Sequence, residues 1–372
     1  MTTVMSVPLV DLRAQYDSLR DQIRAAVLDV FEHMHLNLGP NVRAFEQEFA
    51  AYCGAAECVG VGSGTDALHV ALRALDVGPG DEVVLPAHTF IATAEAVALC
   101  GARPVIVDVE PARRSIDPAE VAEAVTPRTR AVIAVHIHGQ LADMDALRRA
   151  CERAGVPLVE DAAQAQGAGR PDRRAGSLGR IACFSFYYSK NLGAYGEAGA
   201  ITTNDPHLAE RVRQIRDHGS SRRYRHDELG MNARLDELQA AVLRVKLPHL
   251  ERWNERRREL ADRYRALLSG TPLELPAELD RAGHVYHHFA PLAPERDRLL
   301  AYLQEHGVGA GIHYPVPVHL QPVFADLGYR EGSLPVAERV AAETVSLPLY
   351  PELTDEQQEY VAERVRAFYR EA

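Results

Sequence analysis

The chain has 372 residues, 47% of them hydrophobic and 25% charged, with a formal net charge of −11. That length exceeds a typical single domain, the composition is that of an ordinary globular protein, and the acidic balance excludes a nucleic-acid footprint. Five cysteines without a CxxC pair argue for buried thiols over disulfides or zinc ligands, so no metal is expected.

Met1–Leu12 lacks the layout of a signal peptide, and no apolar run reaches membrane length, so a cytoplasmic location is expected. Further on, a short apolar run ends at Val61. Gly62, Ser63, Gly64 and Thr65 then lead into the helical pattern of Ala67, Leu68, Ala71 and Leu72. Such a junction offers free backbone N–H groups to a phosphate, although Gly-Ser-Gly turns also precede helices that bind nothing.

From Asp81 to about Thr203, β-rich runs at 82–85, 104–109, 131–136, 156–160, 181–186 and 198–202 are separated by helical patterns at 89–100, 118–124 and 143–154. Near-continuous Val/Ile runs between helices predict an α/β fold with a mostly parallel sheet covered on both faces. The run at 156–160 leads into two carboxylates, Glu160 and Asp161, at the edge where open α/β sheets bind ligands. An acid there can keep a pyridinium nitrogen protonated; a helix cap or a plain ion pair is the other reading. Gln164 follows within reach of the same edge.

An aromatic run, Phe184–Tyr188, then delivers Ser189 and Lys190 into a Gly-bearing segment. Of 41 Lys and Arg residues only Lys190 and Lys246 are lysines. Arginine serves wherever charge alone is needed, whereas Schiff-base chemistry requires a primary amine that can lose its proton. Lys190 is therefore the candidate nucleophile. Arg222, Arg223 and Arg225, with Tyr224 and His226, form either a solvated loop or a receptor for an anionic small molecule. A helix is expected over 235–247, interrupted at Pro248, followed by a long Arg- and Glu-rich surface helix over 250–268. Runs at 285–292, 297–306 and 355–369 suggest a smaller α+β domain, giving an expected division into 1–250 and 251–372.

The Gly-rich turn, the strand-terminal Asp and the aromatic-Ser-Lys segment occur in the order of a fold-type I pyridoxal-phosphate enzyme. Over nearly its whole length the chain resembles the DegT/DnrJ/EryC1/StrS sugar aminotransferases. The likeness rests on GSGTDAL (62–68), PAHTFIATA (86–94), VEDAAQAQGA (159–168), FSFYYSKNLGAYGEAGAITTND (184–205), GMNARLDELQAAVLRVKL (230–247) and IHYPVPVHLQPVF (312–324).

The resemblance implies a seven-stranded sheet, Lys190 as the Schiff-base lysine and proton shuttle, and Asp161 on the pyridine nitrogen. It further implies Gln164 on the ring hydroxyl, Phe90 stacked on the ring, and Gly64, Thr65 and Ser185 around the phosphate. Asn232 would reach the phosphate of a neighbouring subunit, making the protein a homodimer with shared sites. Tyr187, Arg223, Tyr224, His226 and His319 are the expected contacts to a nucleotide-linked keto sugar, with His319 equally readable as a packing histidine. Glutamate would donate the amine. Tyr187-Tyr188, Glu197 and Met231 depart from the commonest family pattern and bear on the substrate pocket. The segment Val135–Met144 is closer to members acting at C-3 of a deoxyhexose than at C-4. A pyridoxamine-dependent sugar dehydratase, a cyclitol aminotransferase and a non-catalytic regulator of the same fold are the alternatives. The dehydratase branch typically carries histidine at the position of Lys190.

Overall fold

A computed structural model of the chain describes residues 5–371. Seven strands form one sheet: β1 (Glu57–Val61), β2 (Glu82–Pro86), β3 (Arg103–Val107), β4 (Thr129–Val135), β5 (Leu158–Asp161), β6 (Ile181–Ser185) and β7 (Gly199–Thr203). Their order across the sheet is β1-β7-β6-β5-β4-β2-β3. The pairs β2/β3, β2/β4, β4/β5 and β5/β6 are parallel, while β7 runs antiparallel to both β6 and β1.

Alternate residues of each strand feed opposite layers, as the two-residue period of a strand requires. On β4, Ala131, Ile133 and Val135 join the core under helices Gly64–Ala74, Ala92–Leu99 and Pro206–Arg216, while Val132 and Ala134 join the core under Met144–Ala154. On β6, Ile181 and Cys183 enter the first core, and Ala182 and Phe184 enter a third with Phe45, Phe49 and Leu243. Helices Pro40–Cys53 and Glu237–Lys246 supply that third layer. All five cysteines are free thiols, four of them buried and Cys100 half-buried.

Local signals fix several of these helices. Pro118–Ala124 begins with Pro at its first turn and with Asp117 accepting from the Ala119 N–H. Asp143 caps Met144–Ala154 through the Ala146 N–H, and Gly155 ends it in the left-handed region at φ 69°. The helical pattern at 89–100 tightens to Ala92–Leu99, because Thr89 and Phe90 belong to the bend that enters the cleft described below. Two further helices, Leu12–His33 and Pro40–Cys53, precede the first strand. Pro248 does interrupt the chain: Glu237–Lys246 passes through a single 3₁₀ turn into Leu250–Leu267.

The last third of the chain builds a separate core from Leu260, Tyr264, Phe289, Leu347 and Val361, and Val7 belongs to it. Its β pairing consists of isolated bridges such as Phe289 with Leu347 and Gly311 with Ser346. Val318, Phe324, Leu334 and Ala337 return to the core of the large sheet. Packing therefore does not follow a single cut at residue 250. The helix Leu250–Leu267 is likewise less superficial than its Arg and Glu content suggests. Arg257 is buried and donates to the carbonyls of Tyr286 and Leu349 at 3.1 and 2.8 Å.

Candidate active site

Strands β1, β4, β5 and β6 point the same way, so their C-terminal ends share one edge of the sheet, joined there by the start of β7. This is where open α/β sheets bind ligands. A cleft of about 540 Å³ opens at that edge. Gly64, Thr65, Phe90, Asp161, Gln164, Ser185, Tyr187 and Lys190 all line it. A second cleft of about 520 Å³, bounded by Arg113, Gln140, Asp145 and Arg173, contains none of these residues.

The floor of the cleft is set by close backbone approach. Ser63 caps the helix Gly64–Ala74 by accepting from the Asp66 N–H at 3.0 Å, which leaves the first-turn N–H groups of Gly64 and Thr65 facing out of the helix end. A Cβ on Gly64 would lie 2.6 Å from Cβ of Ser185, and one on Gly199 would lie 2.3 Å from the Ser63 carbonyl oxygen. Only glycines allow the helix end, β6 and β7 to meet. The resulting cradle of backbone N–H groups and the Ser185 hydroxyl has the donors, and the helix-dipole sign, that a phosphate requires.

Asp161 ends β5 and is buried. Its Oδ2 accepts from Thr93 Oγ1 at 2.8 Å and its Oδ1 from the Ala163 N–H at 3.2 Å. Burial raises its pKa above the ordinary carboxylate value, and those two hydrogen bonds offset the rise only in part. The neighbouring carboxylate does something else. Glu160 points to the opposite side of the strand, accepting from the N–H groups of Leu178, Gly179 and Gly176 at 2.8, 2.7 and 3.1 Å and pairing with His136 Nε2 at 3.0 Å. Of the two acids at the strand end, one is structural and one faces the cleft.

Lys190 sits on a turn whose N–H returns to the Tyr187 carbonyl at 2.8 Å. Burial lowers its amine to about 8, with the charge of Asp161 acting in the opposite sense. Gln164 is held at both ends of its amide: Oε1 accepts from the His138 N–H at 2.6 Å and Nε2 donates to Tyr314 Oη at 3.1 Å. His138 adopts a left-handed backbone (φ 56°), which those contacts and a 2.9 Å hydrogen bond between its Nε2 and the His313 carbonyl oxygen hold in place. Phe90 is half exposed over the cleft, its ring 5.3 Å from that of Tyr314.

The remaining expected residues lie elsewhere. His319 is 2% exposed, pairs with Glu338 at 3.0 Å and does not line this cleft. Arg223, Tyr224 and His226 ride on an exposed ribbon, Ser220–Arg222 with Arg225–His226, outside their own chain's cleft. Tyr224 is 84% exposed there. Asn232 is also exposed and outside that cleft.

Sequence reasoning missed Thr89, Thr93, His287, His288, His313 and Tyr314, all of which line the cleft. His288 and His313 stack with ring centroids 3.9 Å apart. Burial pushes His287 and His288 well below the ordinary imidazole range and His313 down to about 4, and the nearby Lys190 charge adds to each. This wall is neutral at pH 7 and suits hydroxyl or carbonyl partners better than anions. Thr93 lay within a quoted motif, but nothing local distinguishes it from a helix threonine.

A family model described as the DegT/DnrJ/EryC1/StrS aminotransferase family matches residues 17–366. The chain belongs to this family. Its members are pyridoxal-phosphate enzymes, and a cleft lined by the Gly64–Ser185 cradle, a buried carboxylate at Asp161 and a primary amine at Lys190 has the groups that cofactor requires. A protein of Geobacillus stearothermophilus named as a pleiotropic regulatory protein is 50% identical, over 98% of this chain and 99% of its own. The dTDP-3-amino-3,4,6-trideoxy-alpha-D-glucose transaminase of Streptomyces venezuelae is 48% identical over 97% of this chain and 95% of its own. The crystal structure of S. venezuelae DesV in complex with a ketimine intermediate superposes with a TM-score of 0.95 at 48% identity, covering 98% of each chain. As a member of this aminotransferase family with its α/β fold, the chain is an enzyme of amino-group transfer.

Proposed function

We propose that the chain aminates a nucleotide-linked 3-keto deoxysugar, taking the amino group from glutamate, and works in the cytoplasm as a homodimer with shared sites. The single observation that carries the reading is Lys190: one of two lysines in the chain, lining the same cleft as Asp161, with its amine brought down to about 8. The C-3 assignment is supported by the name of the S. venezuelae transaminase and by the Val135–Met144 segment, which threads His138 between Gln164 and His313.

Pyridoxal phosphate, when bound, supplies a carbonyl that amines condense with and a ring that withdraws electrons. Gly64, Thr65 and Ser185 would hold its phosphate. Asp161, which accepts from Thr93 and the Ala163 N–H, would pair with the pyridine nitrogen and favour a proton there. With the cofactor bound, Nζ of Lys190 would be the base that takes the α-proton of the donor and the acid that delivers it to the cofactor's former carbonyl carbon. Arg223, Tyr224, His226 and Asn232, exposed and away from their own cleft, would serve a partner's cleft. The Arg223 guanidinium there would meet the nucleotide phosphates.

The experiment is to incubate purified protein with pyridoxal phosphate, glutamate and a panel of nucleotide-linked 3- and 4-keto sugars, following 2-oxoglutarate. Turnover with a 3-keto sugar supports the reading; turnover with 4-keto sugars alone overturns the C-3 assignment. The name of the Geobacillus relative favours a second reading, a regulator that keeps the fold. Release of 2-oxoglutarate would rule out a purely non-catalytic role.

A further inference from the structure

Lys246, the chain's other lysine, closes the helix Glu237–Lys246 and is fully buried. Its Nζ donates to the Gly193 carbonyl oxygen at 2.7 Å and lies 4.0 Å from the centroid of the Tyr195 ring. On the same helix Gln239 accepts from the Tyr195 N–H at 2.9 Å and donates to the Tyr195 carbonyl at 3.3 Å. Residues seven apart share one helix face. One face of this helix therefore grips Gly193 and Tyr195, immediately downstream of Lys190.

The gripped segment is stiffly joined to the turn that carries Lys190. The Ala194 N–H donates to the Phe186 carbonyl at 2.8 Å, and the Lys190 N–H to that of Tyr187 at 2.8 Å. A Cβ on Gly193 would lie 2.4 Å from the Tyr188 carbonyl oxygen, so Gly193 is packed against the backbone of the same turn. Movement of Gly193 is movement of the turn. A buried amine is costly unless it has partners, and burial lowers this one to about 7. An apolar side chain would fill the space without that cost and without the grip.

We propose that Lys246 is a positioning residue: through the Gly193 carbonyl, and together with Gln239, it fixes the turn that aims Lys190 into the cleft. The inference rests on the reading of Lys190 as the point of covalent cofactor attachment. Lys246→Met keeps an unbranched stem and removes the donor. In the holoenzyme it shifts the pH midpoint of the bound cofactor's visible band and lowers kcat on the order of tenfold, the scale of a small misplacement of a reacting group. KM for glutamate stays close to wild type. Gln239→Leu moves both readouts in the same direction to a smaller extent, and it carries the test should Lys246→Met fail to fold. A variant that melts at lower temperature but keeps the wild-type band midpoint and kcat overturns the inference and leaves Lys246 a packing residue. Wild-type protein that never captures the cofactor on Lys190 overturns the functional reading first, and this inference with it.

Discussion

Thr93 donates its hydroxyl proton to Oδ2 of Asp161 across 2.8 Å. An ionised carboxylate only accepts, so the one proton of Thr93 is committed, and Thr89, 2.7 Å from Thr93 Oγ1, has to donate in turn. The two hydroxyls form a one-way chain ending on the acid that faces the cleft. Removing a hydrogen bond to a charged group costs about 1.5–3 kcal/mol, on the order of ten- to a hundredfold in an equilibrium or rate. Thr93→Val is expected to weaken pyridoxamine phosphate binding and slow the glutamate half-reaction by at least the lower figure. Equilibrium titration and single-turnover kinetics measure both; wild-type values in each would contradict the role.

The lowered amine of Lys190 has a direct pH consequence. A lysine whose pKa falls from the ordinary 10.5 to about 8 is neutral, and nucleophilic, above about 8. Capture of pyridoxal phosphate by cofactor-free protein is expected to accelerate as pH rises through about 8 and then to level off. Stopped-flow absorbance across pH 6.5–10.5, roughly the span from below the lowered value to the ordinary one, reads the profile. A rate still climbing steeply at the top of that range would place the amine at its ordinary value. Lys190→Arg, whose guanidinium stays protonated, is expected to show no capture at any pH.

The cradle makes a steric prediction. Gly64→Ala places a methyl 2.6 Å from Cβ of Ser185, and overpacking of that kind costs about 1–3 kcal/mol. The helix end must back away from Ser185, so affinity for inorganic phosphate and pyridoxamine phosphate is expected to fall on the order of tenfold, with a lower melting temperature. Calorimetric titration checks it. Unchanged phosphate affinity would move the phosphate site elsewhere.

Sharing of sites between subunits can be tested by complementation. In a dimer of one Lys190→Ala and one Asn232→Ala chain, one site receives both native residues and the other receives neither. Random mixing of two inactive variants is then expected to restore about a quarter of wild-type activity, from the statistics of a two-fold dimer. No recovery after verified subunit exchange would remove Asn232 from the partner's site. Arg223→Glu is expected to raise KM for the sugar while sparing the glutamate half-reaction; equal damage to both would contradict its placement.

What was legible in the sequence was mostly local. Pro118–Ala124 announces itself by Asp117 and Pro118, and Met144–Ala154 by its Asp143 and Gly155 caps. Central strands of a doubly covered sheet read as apolar runs because both their faces are buried. The helix Pro40–Cys53 carries the same kind of local signals, Pro40 at its start and Gly54 at its end (φ 70°), whereas its place in the fold depends on distant residues: Phe49 packs edge-on to Phe184 and Phe186 at 4.9 and 5.1 Å. The cleft shows the same division. Lys190 and Asp161 were visible as unusual residues in unusual places. Thr93, His288 and His313 acquire meaning only when the helix Ala92–Leu99 and the C-terminal segments are folded onto the sheet edge. The two readings of His319 could not be separated in the sequence, because His313 and Tyr314 close by in the chain line the cleft while its own ring turns to Glu338.

The central claim, that Lys190 carries the cofactor, has an unusually clean test because the chain holds only two lysines. Holoenzyme is reduced with borohydride, digested, and mapped by mass spectrometry, with and without prior exposure to glutamate. The account predicts the cofactor's mass on the peptide containing Lys190, and its disappearance after glutamate. A tag on the Lys246 peptide, or none on either, would contradict it.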